Sequence, residues 1–314
     1  MIQNLFFLCL GIAFLYFGSE LLVRGSVSLS FAFSIRSVVI GLTVVAFATS
    51  TPELIVSLIA AVKGSEGISI GNILGSNVAN IGLVLGVSAF IRPMSVDRQL
   101  VHFEMPFLII ISGLFWFLCL DGRIGRIDGI ILLAGLAAFL VFNFKKARST
   151  EEFKGVSPAL ENKKVLWNFF LILAGMAGLV GGANLMVNSA IIIARCLGLS
   201  EIFIGLSIVA LGTSLPELAT SVVAGLRKEH GISIGNIVGS NVFNICMVIG
   251  FIGLINPMTV ERGLMRFEFP VMFLLSIILY IFSRAGLIID RLKGFVFILS
   301  FLFFIGISYF LGKG

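Results

Sequence analysis

The sequence predicts an all-α polytopic membrane protein, with ten transmembrane helices arranged as two inverted-topology five-helix repeats. Of its 314 residues, 58% are hydrophobic and only 12% are charged, whereas a soluble domain carries about 25% charged residues. Apolar runs of about 20 residues, long enough to cross a ~30 Å hydrocarbon core, recur along the chain. Residues 41–106 align without a gap with residues 205–270, with 35 identities in 66 positions.

The apolar runs define the ten predicted spans. The N-terminal run has no basic region before it and no small-residue cleavage site, so we interpret it as a retained span rather than a signal peptide. Short segments of alternating polarity, which are typical of transmembrane barrels, are absent from the sequence. The spans are predicted at residues 4–23, 37–62, 70–91, 101–120, 126–144, 165–194, 201–226, 234–255, 266–283 and 292–311.

A polar linker at residues 145–164 divides the chain into a first repeat, 1–144, and a second repeat, 165–314. The most similar parts of the two repeats are residues 41–86 and 205–250. Five spans separate equivalent points, and an odd number inserts the second copy in the opposite direction, as in many secondary transporters.

The distribution of basic residues predicts the orientation. With the N-terminus outside, the cytoplasmic loops hold 15 of the 22 Lys and Arg residues. The positive-inside rule therefore predicts that both termini lie outside and that the linker lies in the cytoplasm. The net charge of +6 is assigned to these loops and not to nucleic-acid binding.

Each repeat places a glutamate directly after a proline inside an apolar span, in Thr-Ser-Thr-Pro-Glu53 and Thr-Ser-Leu-Pro-Glu217. Proline lacks the N–H that would bond the carbonyl four residues back, so these spans should kink. No basic residue lies within the cores of these spans to pair with the carboxylates, which makes a functional role the leading hypothesis. Protonation of an isolated glutamate is the alternative. The carbonyls expected to be freed are those of Ala46, Ala48, Thr49, Ala210, Gly212 and Thr213.

Polar residues follow one helix face in two spans of each repeat. All of them supply oxygen, and oxygen ligands suit hard cations, above all Ca²⁺ with its 6–8 ligands. Histidine and cysteine do not join the pattern, which excludes a zinc or copper site of the usual kind. Interhelical hydrogen bonding is the alternative for the Asn and Ser positions, and we interpret Asn72 and Asn236, nearer the span ends, as a structural pair. The polar residues are Ser50, Glu53, Ser57, Asn72, Ser76 and Asn80, with their equivalents Ser214, Glu217, Ser221, Asn236, Ser240 and Asn244.

At these residues the chain resembles the cation/calcium exchanger superfamily, specifically the prokaryotic sodium/calcium antiporters. The motifs that carry the resemblance are ATSTPE and GTSLPE, together with GSNVANI and GSNVFNI. The resemblance implies alternating access around spans 2, 3, 7 and 8, which would hold up to three Na⁺ or one Ca²⁺, with spans 1 and 6 sliding across them. This chain departs from the family pattern at Asn244, where some family members, potassium-dependent ones among them, carry Asp. The absence of this acid argues against potassium dependence.

The resemblance also implies roles for individual residues. Glu53 and Glu217 would be the central shared ligands, and Thr49 and Thr213 would give carbonyl oxygens to calcium. Ala46, Ser50 and Ser76 would form one flanking sodium site, and Ala210, Ser214 and Ser240 its mirror image. Asn80 and Asn244 would line the middle.

The function predicted from the sequence is a Na⁺/Ca²⁺ antiporter that exports Ca²⁺ and works as a monomer. A Ca²⁺/H⁺ antiporter using the same glutamates stays open as the alternative, and a cation channel is a more distant one. We expect no cofactor and no ATP, since the chain has no phosphate-binding loop. An intramembrane enzyme is disfavoured because no His or Lys is positioned to activate Ser76 or Ser240.

Overall fold

The computed structural model describes residues 2–147, 162–196 and 210–311, and within these ranges the chain is helical apart from four two-residue strands and short connecting turns. Predicted linker residues 148–161 and predicted span residues 201–209 lie outside the described part. The helices are α1 Ile2–Phe33, α2 Ser37–Thr49, α3 Thr51–Val62, α4 Glu66–Ile91, α5 Leu100–Asp121, α6 Arg126–Lys145, α7 Asn162–Cys196, α8 Ala210–Thr213, α9 Leu215–Leu226, α10 His230–Ile255, α11 Arg262–Arg284 and α12 Arg291–Leu311.

Eight helices in the described ranges are long and apolar enough to cross a membrane, and the bent pair α2–α3 makes a ninth span. The predicted seventh span, 201–226, is described only from Ala210 onward, as α8 and α9. The prediction of a polytopic all-helical protein is confirmed. The predicted end of the first span at residue 23 is too early, because α1 continues to Phe33. Arg24 lies on an exposed face and does not interrupt the helix.

Helices α1 and α7 pack closely and in antiparallel directions through glycines. A Cβ added to Gly18 would lie 2.9 Å from the carbonyl oxygen of Gly175, and one added to Gly182 would lie 2.8 Å from that of Gly11. The earlier glycine of α1 contacts the later glycine of α7, and the later one contacts the earlier, so the helices are antiparallel. Small residues let the two backbones approach, and Gly11 and Gly18 have their sequence equivalents in Gly175 and Gly182.

The strands establish how the repeats are related. Strand β1 (Met94–Ser95) pairs with β4 (Ile288–Ile289), and β2 (Arg123–Ile124) pairs with β3 (Met258–Thr259). Helix α5 separates β1 from β2, so these two strands lie at opposite ends of a span. Because β3 is the sequence equivalent of β1 but pairs with β2, equivalent points of the two repeats lie at opposite ends of the molecule. This is the predicted inverted arrangement.

Helices α4 and α10 form the centre of the protein. Of their most apolar windows, 78% and 83% are buried, against 22–39% for the other long spans. Glycines again allow the close contact: a Cβ on Gly235 would lie 2.7 Å from the carbonyl oxygen of Val38 in α2. Polar side chains of α4 and α10, among them Asn72, Ser76 and Asn236, contact the proline-broken helices.

Candidate cation site

The site is built around two helix breaks. Helices α2 and α3 meet at Ser50 with a bend of 42°, and Pro52 is the second residue of α3, where a missing N–H is tolerated. Glu53 lies in the first turn of α3, where the partial positive charge of the helix N-terminus stabilises a carboxylate. In the second repeat, Ser214 separates α8 from α9 and Glu217 lies in the first turn of α9.

One expectation about these breaks is wrong. The Ser50 N–H donates to the carbonyl of Ala46 at 2.9 Å, and the Thr49 hydroxyl lies 3.4 Å from the same oxygen. The kink does not free the Ala46 carbonyl. Pro52 removes only its own N–H donor, and the hydrogen bond from the Ser50 N–H to Ala46 persists. The side-chain surroundings of Ala210, its equivalent, lie outside the described part of the chain.

Both carboxylates are completely buried. Ser76 Oγ lies 3.5 Å from Oε1 of Glu53, and Ser50 Oγ lies 3.5 Å from Oε1 of Glu217. The second oxygen, Oε2, of each glutamate is buried without a hydrogen-bond partner. Among the described residues, no Lys, Arg or His forms an ion pair with either glutamate. Buried charges are stabilised by pairing or by metal coordination, so this arrangement is suited to a bound cation.

Asn80 and Asn244 contribute the second pair of oxygens. Both are fully buried, and each begins a π-helical turn, Asn80–Leu85 in α4 and Asn244–Ile249 in α10. Such turns are frequent at functional sites. Asn80 Nδ2 donates to Asn241 Oδ1 at 3.0 Å, and Asn244 Nδ2 donates to Asn77 Oδ1 at 3.4 Å. The Oδ1 atoms of Asn80 and Asn244 have no hydrogen-bond partner.

The outer asparagines join the two repeats. Asn236 donates to Ser221 Oγ at 3.1 Å and accepts from Thr49 Oγ1 at 3.0 Å. Asn72 donates to Ser57 Oγ at 3.0 Å and accepts from Thr213 Oγ1 at 3.4 Å. These bonds support the interpretation of Asn72 and Asn236 as a structural pair. They also show that the hydroxyls of Ser57 and Ser221 accept from amides.

The two halves of the site are not identical. Ser240 Oγ interacts with Glu217, as its equivalent Ser76 does with Glu53, but it also lies 3.2 Å from Thr49 Oγ1 and 3.4 Å from Asn236 Oδ1. Ser214 Oγ is buried without a partner, whereas its equivalent Ser50 contacts Glu217.

The structure thus brings most of the predicted residues into one buried cluster. Among the described residues this cluster contains two carboxylates, two threonines, four serines and two asparagines that meet across the repeat interface. The sequence interpretation did not include Asn77 and Asn241, the asparagines of the two GSN segments. Their signal was present, since both recur at equivalent positions, but nothing in one helix shows which side chain they meet in the other.

A polar cavity of about 340 Å³ lies elsewhere, beside the start of α2 and the start of α10. Its lining includes Arg36, Asp97, Lys228, Glu229 and His230, and Arg36 and Asp97 form an ion pair at 3.2 Å. Acidic and basic groups here neutralise one another. This cavity therefore differs in kind from the buried cluster of oxygens.

Comparison with known proteins identifies the class. The family model described as sodium/calcium exchanger protein matches residues 3–145 and 167–310, and the chain belongs to this family. It is therefore a membrane transporter of the cation/calcium exchanger type and not an enzyme.

Individual relatives match over nearly the whole chain. The putative antiporter CaxA of Alkalimonas amylolytica is 33% identical, covering 94% of this chain and 95% of its own length. The inner membrane protein YrbG of Escherichia coli K12 is 33% identical, covering 86% of both chains. A structure of the sodium-calcium exchanger NCX_Mj, from a crystal soaked with Na⁺ and Ca²⁺, superposes with a TM-score of 0.86 at 33% identity and 98% coverage of both chains.

Proposed function

We propose that this protein is a Na⁺/Ca²⁺ antiporter that exports Ca²⁺ on the Na⁺ gradient by alternating access. The observation that carries the proposal is the set of four buried oxygens without hydrogen-bond partners, two from each repeat: Oε2 of Glu53 and Glu217, and Oδ1 of Asn80 and Asn244. An all-oxygen set with two carboxylates is the ligand chemistry of a hard cation.

The charge of the cluster supports exchange. Two carboxylates without a basic partner carry a charge of −2 when both are ionised, which one Ca²⁺ or two Na⁺ neutralise. Each cation would remove the charge that binds the other, so the two would compete for one site. Because the ligands come from both repeats, movement of one repeat relative to the other can open the site to either side of the membrane.

We assign the remaining predicted residues to this site as ligands. The main chains of Thr49 and Thr213 lie at the helix breaks, where the negative ends of α2 and α8 face a cation. Ser50 and Ser76 would form one flanking Na⁺ position with Ala46, whose carbonyl oxygen accepts the Ser50 N–H but has a second lone pair. Ser214 and Ser240, with Ala210, would form the other. Competition between Na⁺ and Ca²⁺ should weaken on substitution of these serines.

We propose a prokaryotic cell-membrane location, supported by the similarity to an inner membrane protein of Escherichia coli. We also propose that both termini lie outside, supported by the 15 Lys and Arg residues of the predicted cytoplasmic loops. A single cysteine introduced at Ser157, in a background with the native cysteines replaced, tests the orientation. A membrane-impermeant maleimide should label it only after the cells are permeabilised, and labelling of intact cells would reverse the assignment.

The function is tested with purified protein in sealed proteoliposomes. Vesicles loaded with Na⁺ and diluted into Na⁺-free medium should take up ⁴⁵Ca²⁺, and external Na⁺ should inhibit uptake. If a pH gradient alone drives uptake while Na⁺ neither drives nor inhibits it, the protein is a Ca²⁺/H⁺ antiporter. Single-channel currents would instead assign it to the channels.

A further inference from the structure

Asn77 and Asn241 lie directly behind the proposed ligands. Each precedes a central asparagine by three residues, about one helical turn, and they are 0% and 1% exposed. Their contacts cross between the repeats, because Asn241 of α10 accepts from Asn80 of α4 and Asn77 of α4 accepts from Asn244 of α10. Each pair therefore joins a ligand of one repeat to a side chain of the other.

An amide can present either oxygen or N–H to a cation, and its other hydrogen bonds decide which. Asn241 Nδ2 lies 3.4 Å from the main-chain carbonyl of Asn77, so its Oδ1 is left facing Asn80. Asn77 Nδ2 lies 3.5 Å from Met272 Sδ, so its Oδ1 is left facing Asn244. In both cases the NH₂ group of the central asparagine, Asn80 or Asn244, donates to this neighbouring oxygen. The Oδ1 atom of the central asparagine is then left without a protein partner and is available to a cation.

We propose that Asn77 and Asn241 are positioning residues that orient the amides of Asn244 and Asn80, so that both present oxygen to the transported cation. This inference rests on the proposed function, since it requires a cation at the centre of the site. Without the acceptor on its neighbour, a central amide could rotate by 180° and point two N–H groups at the cation, which would weaken binding.

The two hydrogen-bond chains differ in strength. The chain through Asn241 ends on a main-chain carbonyl, whereas the chain through Asn77 ends on a thioether sulfur, a weak acceptor. Leu108 is the sequence equivalent of Met272 and has no acceptor. We therefore expect Asn80 to be held more firmly than Asn244, in agreement with the shorter bond, 3.0 Å against 3.4 Å.

The test measures equilibrium ⁴⁵Ca²⁺ binding and the Ca²⁺ dependence of transport for variants of Asn77. Asn77→Leu keeps the volume but removes the acceptor, and we expect Ca²⁺ affinity to fall about tenfold. Asn77→Asp keeps an acceptor for Asn244, and its affinity should return to within about threefold of wild type. The maximal transport rate at saturating Ca²⁺ should change less than the KM, since the ligands themselves remain.

Two controls separate positioning from a structural effect. Asn143→Leu removes another buried asparagine, whose Nδ2 bonds the carbonyl of Phe139 in its own helix, and it should leave Ca²⁺ affinity unchanged. In a double-mutant cycle, Asn77→Leu should add little to the loss caused by Asn244→Leu, because it acts through that residue. If Asn77→Leu does not fold, Asn77→Ala removes the same acceptor with less apolar bulk.

Unchanged affinity in the folded Asn77 variants, absence of rescue by Asn77→Asp, or full additivity in the cycle would each overturn the proposal. Failure of the proposed function looks different, because wild-type protein would then bind no Ca²⁺ at this site, or would bind Ca²⁺ without competition from Na⁺. Wild-type binding is therefore measured first, in the same assay.

Discussion

The two repeats build matching halves of one site but hold them differently. Ser50 lies 3.5 Å from a carboxylate oxygen of Glu217, whereas its equivalent Ser214 has no hydrogen-bond partner. The hydrogen-bond chain behind Asn80 ends on a main-chain carbonyl, and the chain behind Asn244 ends on Met272. Equivalent sequence positions therefore do not have equivalent surroundings, and equivalent substitutions should have unequal effects.

The largest expected effect comes from the feature that the repeats share. Glu53→Gln or Glu217→Gln removes half of the charge that balances Ca²⁺ while keeping the side-chain size. We expect either variant to lose Na⁺-driven ⁴⁵Ca²⁺ uptake by at least about 100-fold, since a hydrogen-bonded or ligating charge in a dry site is worth several kcal/mol. Glu261→Gln, at an exposed position, is the charge-matched control and should transport normally. Full activity in either buried variant would contradict the site.

The next prediction separates the repeats. Asp at position 244 cannot donate to Asn77, but the Asn77 amide is held only by a sulfur and can turn to donate to the new carboxylate. Asp at position 80 would face Asn241 Oδ1, which the main-chain bond keeps in place. Asn244→Asp should therefore fold and change the Na⁺:Ca²⁺ coupling ratio, whereas Asn80→Asp should lower stability by about 1–3 kcal/mol, the cost of an unsatisfied buried polar group.

Thermal unfolding in detergent and the coupling ratio in proteoliposomes measure the two effects. Asn80→Leu, which removes the ligand without adding charge, controls for the loss of the amide itself. Equal stability of the two Asp variants would show that the difference between the hydrogen-bond chains has no energetic consequence.

The smallest expected effect concerns the helix ends. Glu20 of α1 pairs with Arg227, which follows α9, through two charge-assisted contacts. The equivalents of Glu20 and Arg227 are Asn184 and Lys63, which cannot form an ion pair. Because Arg227 is partly exposed, we expect Glu20→Gln to lower stability by about 0–1 kcal/mol.

Access to the site can be measured by labelling a cysteine that replaces Ser221. With the reagent added on the side of the membrane where Arg227 lies, labelling should be greater in Glu20→Gln than in the protein with Glu20. Asn184→Asp, which creates a possible pair with Lys63 on the opposite side, should decrease that labelling. Equal labelling in all three proteins would show that the Glu20–Arg227 pair does not affect access to the site.

The parts of the fold that depend on the repeat in the sequence and on the positions of its prolines were predictable. The offset of 164 residues predicts the inverted repeat, and Pro52 and Pro216 predict the two helix breaks, because a missing N–H acts wherever the chain is helical. The cluster of Glu, Ser and Asn residues followed from helical spacing. The roles of these residues as ligands stay predictions.

The features that depend on packing between repeats were not predictable. The bonds of Asn77 and Asn241 join residues more than 160 positions apart, and the direction of an amide depends on partners such as Met272 that no local pattern indicates. The Ala46 carbonyl was misjudged for a related reason, since a proline affects one bond and leaves its neighbours to the local geometry. Helix α1 was predicted too short because Arg24 can lie on an exposed face of a continuing helix.

The most direct test of the shared site is the position of a bound ion. Crystals of this protein soaked with Ca²⁺ should show one anomalous scattering peak at roughly 2.3–2.6 Å, the usual Ca²⁺–oxygen distance, from a carboxylate oxygen of both Glu53 and Glu217. Such a peak would show that neither repeat binds calcium alone. A peak coordinated by one repeat only, or a peak in the cavity beside Arg36 and Asp97 with none between the glutamates, would contradict the account.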